Sequence, residues 1–135
     1  MPHDLRRMGL SIKRLQVRHH RAADERLAPL GVSLVQWDAL RHLHENPDAS
    51  LHDLAQLTFQ TDQSFGTLAA RMIERGLIER VPGPGRAVRH RLTARGDEVR
   101  VRAGEVLQEV LEESFGPLSA EERQTFGDLL AKLVG

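Results

Sequence analysis

Two groups of side chains in this sequence are spaced to do chemistry on a partner. The first is Gln63, Ser64, Thr67 and Arg71, with Gly66 among them, along one predicted helix. The second is Arg86 and Arg89, beside a Pro-Gly-Pro-Gly run at 82–85. Glutamine offers a donor and an acceptor side by side, matching the edge of adenine, and hydroxyls suit phosphates, bases or a thymine methyl. Arginine holds phosphate in a bidentate grip and can enter a minor groove. These types grip and read a duplex; they do not break bonds. Histidine is the competing chemistry. His19 and His20 are adjacent and His42 and His44 are two apart, so neither pair shares a helix face as an i, i+4 metal pair would. The chain has no cysteine, which removes disulfides, thiolate metal sites and thiol redox sensing together. It carries no Gly-rich phosphate loop, no Gly-x-Ser-x-Gly and no His-Glu-x-x-His. The expectation is no enzyme, no metal and no cofactor.

Charge placement agrees with a polyanionic partner. The 135 residues have zero formal net charge, which alone argues against one. Residues 60–100, however, hold eight arginines against five acids, and residues 1–30 seven basic groups against three acids. Residues 103–135 reverse this, with seven acids against Arg123 and Lys132. Segregated charge lets a neutral chain present a positive face, and phosphate binding responds to the local field. No apolar run approaches bilayer length. Asp4, Arg6 and Arg7 break up the first residues where a signal peptide is continuously apolar, so a cytoplasmic location is expected, with no membrane partner.

These residues need elements to hold them. Leu5, Met8, Ile12, Leu15, His19 and Ala22 recur every three or four positions, one stripe of a long helix that Pro29 and Gly31 close. Ser33-Leu34-Val35-Gln36 is a capping-box pattern opening a second helix, with Leu34, Trp37, Leu40 and Leu43 inward, and Asn46-Pro47 stops it. Ser50 caps a short third helix. After a Phe59-Gln60-Thr61 turn, Thr61 caps a fourth helix to about Arg75, with Phe65, Leu68 and Met72 inward and Gly76 ending it. Leu77–Val81 and Val88–Leu92 suit two short strands. Thr93 caps a long helix that buries Val99, Ala103, Val106, Leu107, Val110 and Leu111, and Gly116-Pro117 breaks it. Ser119 to Glu122 opens a last helix carrying Phe126, Leu129, Leu130 and Leu133.

Helix, turn, helix and cationic hairpin in that order describe a winged helix-turn-helix. The fold class is mainly α (α+β), a single domain over 1–135. The winged unit spans 33–96, and helices at 1–30 and 97–135 form a dimerisation region. The terminal helices are more apolar than a surface helix needs, and a two-fold homodimer would cover them.

The chain resembles the MarR (multiple antibiotic resistance regulator) family of bacterial transcription factors. Val32 to Leu40 is similar to that family's second helix, with its aromatic after glutamine. Arg71 with Glu74-Arg75-Gly76-Leu77-Ile78-Glu79-Arg80 resembles the end of the recognition helix and the start of the wing. Leu92-Thr93-Ala94-Arg95-Gly96 resembles the Leu-Thr-x-x-Gly that leaves it. The resemblance implies a homodimer whose recognition helices enter major grooves of double-stranded DNA at a palindromic operator. It also implies a repressor released by a small, often aromatic, effector bound between the two regions, where His19, His20 and Trp37 could line a pocket. Two positions depart from the pattern. Pro84 stands where the wing's usual aspartate belongs, with Arg86 on the arginine, and Ala70 replaces an acid before Arg71. A winged-helix module that binds proteins without DNA is the alternative, and a ligand-binding scavenger a third reading.

Overall fold

The structure is a computed structural model that describes residues 4–83, 85 and 88–135. The elements are α1 (Leu5–Leu27), a 3-10 turn (Ala28–Leu30), α2 (Leu34–Glu45), α3 (Leu51–Leu57), α4 (Asp62–Glu74), β1 (Ile78–Pro82), β2 (Val88–Leu92), α5 (Ala94–Ser114) and α6 (Ala120–Val134). Most of their starts have a visible local cause. Ser33, Ser50 and Ser119 each accept a bond from the third helical N–H, while the side-chain oxygens of Gln36, Asp53 and Glu122 accept one from the N–H of the cap. Thr61 and Thr93 cap α4 and α5 in the simpler way. Asp4 caps α1 by accepting from Arg7 N–H.

β1 and β2 form an antiparallel hairpin with Ile78 opposite Leu92 and Arg80 opposite His90. The first strand begins one residue later than its pattern predicts. Leu77 N–H is still bonded to Met72 O at 2.9 Å, within the turn that Gly76 makes at φ 73° to end α4. Leu77 instead lends its carbonyl to the next element, accepting from Thr93 N–H and Thr93 Oγ1, both at 3.1 Å. Gly96 packs on that same carbonyl, and a Cβ there would overlap the oxygen. This contact seats the first turn of α5 against the base of the hairpin, and gives the glycine of the Leu-Thr-x-x-Gly pattern its physical reason.

The core gathers α2, α3, α4, the hairpin base and the middle of α5. Leu27, Leu40, Leu54 and Met72 are fully buried, with Phe65, Ala69, Ile78, Ala103 and Leu107 around them. Each large side chain so buried contributes about 1.5–3 kcal/mol. The terminal helices behave differently. Only Ala23 and Leu27 of α1 are buried, while Leu5, Met8 and Ile12 are exposed, and no residue of α6 is buried. Leu111 also faces outward, against the expectation that it packs inward, because the core-facing side of α5 follows Ala103, Leu107 and Val110. No helix among the described residues is long and apolar enough to cross a membrane.

Candidate nucleic-acid interface

The structure brings the predicted polar residues of α4 onto one surface. Phe65, Ala69 and Met72 anchor the helix from beneath, which turns Gln63, Ser64, Thr67 and Arg71 outward. These four line a single shallow groove with Val35, Gln60, Thr61 and Leu68. The Ser64 hydroxyl donates to Gln60 Oε1 at 3.2 Å, and the Thr67 hydroxyl to Gln63 O at 3.1 Å. Among the described residues the Gln63 amide makes no hydrogen bond, so both its donor and its acceptor are available. Gly66 sits in their midst, and a Cβ there would meet nothing within 4 Å. Among the described residues, nothing gives that glycine a packing reason inside one protomer.

Two interactions around this surface have no signal in the sequence. His52, near the start of α3, holds Asp62 through Nδ1 at 2.9 Å, so the one acid at the tip of α4 is engaged by an imidazole. Arg75 donates to Gly31 O at 2.8 Å, tying the end of α4 to the α1–α2 connection. Arg71 then shares a second groove with Arg75, Arg95, Asp24 and the capping pair Ser33 and Gln36. Such pairs lie between 10 and 44 residues apart, and no periodicity links them.

In the hairpin, Arg91 pairs across the strands with Glu79. Arg89 is half-buried, and its charge is felt by Asp53 at the start of α3. Hydrogen bonds from the backbone and hydroxyl of Ser50 hold the Asp53 carboxyl below its ordinary range, with His52 and Arg89 adding to the effect. His90 is buried with Nδ1 unpartnered among the described residues, and desolvation, then the charge of Arg80, pushes its imidazole below the ordinary histidine value. Arg86 and Pro84 lie outside the described residues.

The effector candidates do not converge within one protomer. Trp37 is half-buried against Gly104, donates from Nε1 to Arg100 O at 3.1 Å, and carries the Arg41 guanidinium 5.6 Å from its ring centroid. His19 instead bonds Ser114 and packs edge-on to Phe115. Ser114 is ten residues beyond Gly104 on α5, about 15 Å along a helix. His20 faces Asp24 at 3.3 Å, and Asp24 also accepts from Leu34 N–H at 2.8 Å at the start of α2. No cluster of three metal-ligating side chains occurs among the described residues.

Known proteins resemble this chain in sequence and in fold. The HTH-type transcriptional repressor Rv2887 of Mycobacterium tuberculosis, a MarR family protein, is 30% identical over 109 residues, covering 79% of this chain and 78% of the relative. The chain belongs to the MarR family. The MarR family profile matches residues 30–87, from the α1–α2 connection into the hairpin. Among solved structures, this MarR fold superposes on Rv2887 in complex with DNA with a TM-score of 0.82 at 25% identity, covering 99% of this chain and 100% of that one. Rv2887 in complex with salicylic acid gives 0.78 at 27% identity, with 98% and 97% covered. The superpositions span α1 and α6 as well as the winged unit. The MarR arrangement of terminal helices around a winged helix-turn-helix is thus the fold of the whole chain.

Proposed function

We propose that this MarR-family chain is a sequence-specific transcriptional repressor that binds a palindromic operator as a homodimer and releases it on binding a small aromatic effector. The observation that carries the reading is the outward groove of α4, where Gln63, Ser64, Thr67 and Arg71 stand together around an unobstructed Gly66. Gln63 suits an adenine edge, Ser64 and Thr67 suit bases or phosphates, and Gly66 lets the backbone come close to the groove floor. Arg71, Arg86 and Arg89 supply phosphate or minor-groove contacts. Residues 33–96 form the reading unit, and 1–30 with 97–135 the dimerisation region, whose exposed Leu5, Ile12, Leu129 and Leu133 need a cover. The related Rv2887, a repressor solved with DNA and with salicylic acid, supports the same roles here. Trp37 on α2 and His19 and His20 on α1 are the effector-pocket candidates. The protein performs no catalysis and works in the cytoplasm.

The test is a mobility-shift titration of the DNA upstream of its own gene at low salt, with and without salicylate, alongside sedimentation equilibrium. The expected result is sequence-selective retardation by a species of twice the chain mass, weakened by an aromatic carboxylate. Absence of selective retardation would favour the protein-binding module. Tight ligand binding that leaves DNA affinity unchanged would favour the scavenger.

A further inference from the structure

We propose that Phe59 contacts DNA directly, its ring covering a thymine 5-methyl group at the edge of the half-site read by α4. The inference rests on the DNA-binding reading above. Phe59 lies in the turn between α3 and α4 and is 97% exposed, the highest value among the large apolar side chains described. It is also the one non-glycine residue among those described with a positive φ, at 57°. The backbone is held there by the turn itself. Phe59 N–H bonds Gln56 O at 3.2 Å and Gln60 N–H bonds Ala55 O at 2.8 Å. Glycine adopts this conformation freely, whereas a bulky L-residue is strained in it. Two penalties therefore meet at one position, an aromatic ring in water and a side chain in left-handed backbone. Among the described residues nothing relieves either.

Most other strongly exposed apolar side chains, including Leu5, Ile12, Leu129, Leu133 and Val134, lie on α1 and α6, where a second copy covers them in the proposed dimer. Phe59 belongs to the reading unit instead. It is two residues before the Thr61 cap and adjacent to Gln60, which bonds Ser64 inside the α4 groove. A recognition helix that enters a major groove carries this turn to the groove's margin. The apolar group that B-DNA offers there is the thymine methyl. Burial against it removes the ring from water only in the complex, so the cost carried by the free protein becomes a gain on binding.

The probe is a duplex selected from a randomised library by the wild-type protein, with each thymine replaced singly by deoxyuridine, which keeps the pairing and lacks the methyl. The wild type should lose about four-fold in affinity at one thymine of each half-site, the worth of one buried methyl. Phe59→Gly should bind the parent duplex about ten-fold more weakly and be insensitive to that replacement. Its thermal midpoint should rise, since the strain is gone, which excludes misfolding as the cause of weaker binding. A Phe59→Gly protein that binds as tightly as wild type overturns the assignment. So does one equally sensitive at every deoxyuridine position, or one whose oligomeric state has changed. Failure of the wild type to select any duplex would overturn the DNA-binding reading itself, and this contact with it.

Discussion

Glycines at two positions make opposite predictions about the same substitution. Gly66 has open space where a side chain would go, and glycine costs a helix interior about 1 kcal/mol against alanine. Gly66→Ala should therefore stabilise the fold by up to ~1 kcal/mol while weakening DNA binding, because the added methyl stands between backbone and groove. Gly96 is packed on the Leu77 carbonyl, and Gly96→Ala should cost ~2–3 kcal/mol as α5 is pushed off the hairpin base. Urea unfolding of both variants separates the two cases, and equal effects would remove the distinction. Of the side chains proposed to contact DNA, Gln63→Ala should relax preference at particular bases. Arg86→Ala and Arg89→Ala should weaken binding across sequences and lower the salt slope by about one each. Isotherms at several salt concentrations distinguish these patterns.

At the scale of elements, the hairpin carries a proton-linked weakness. His90 is buried on β2 with Nδ1 unpartnered among the described residues, and desolvation followed by the Arg80 charge lowers its pKa. The folded state thus prefers neutral imidazole more than the unfolded chain does. The His90 contribution is fully present above the unfolded value of about 6.5 and is lost as pH falls below it towards the depressed folded value. The expected outcome is a fall in stability below about pH 6.5 that a His90→Leu variant does not share. Urea midpoints of the two proteins between pH 5 and 8 check this, and parallel curves would count against it. The caps are the best-forecast feature at this scale. Ser33, Ser50, Thr61, Thr93 and Ser119 all sit where their patterns place them, because a cap is a bond between residues two or three apart.

Across the whole molecule, the dominant fact is the unburied apolar surface of the terminal helices. Leu133 is 74% exposed, so an aspartate there should leave the protomer's own fold unharmed. Leu133→Asp should nonetheless shift the protein towards monomer and sharply weaken its hold on a two-half-site duplex, since one reading unit contacts half the operator. Sedimentation velocity and a titration on a half-site duplex test this together. A variant that remains dimeric would place the interface elsewhere. The outward turn of Leu111 and the lack of any buried residue in α6 fit the same picture, because their stripes serve a surface that one chain does not possess.

What is local or periodic was legible in the order of residues. That includes the order of helices, their caps, the hairpin, the inner face of α4 and hence the outer set Gln63, Ser64, Gly66, Thr67 and Arg71. Each follows from bonds or side-chain directions repeating over a few residues, which a linear pattern records. Tertiary structure alone decided the rest. It set His52 against Asp62, Arg75 against Gly31 and Gly96 against Leu77, and it separated Trp37 from His19 along α5. These contacts depend on how elements pack in three dimensions, and their spacing in the chain carries no period. Phe59 shows the boundary most clearly. Its identity was always legible, but only the backbone angle and the exposed ring mark it as a residue whose partner lies outside the protomer.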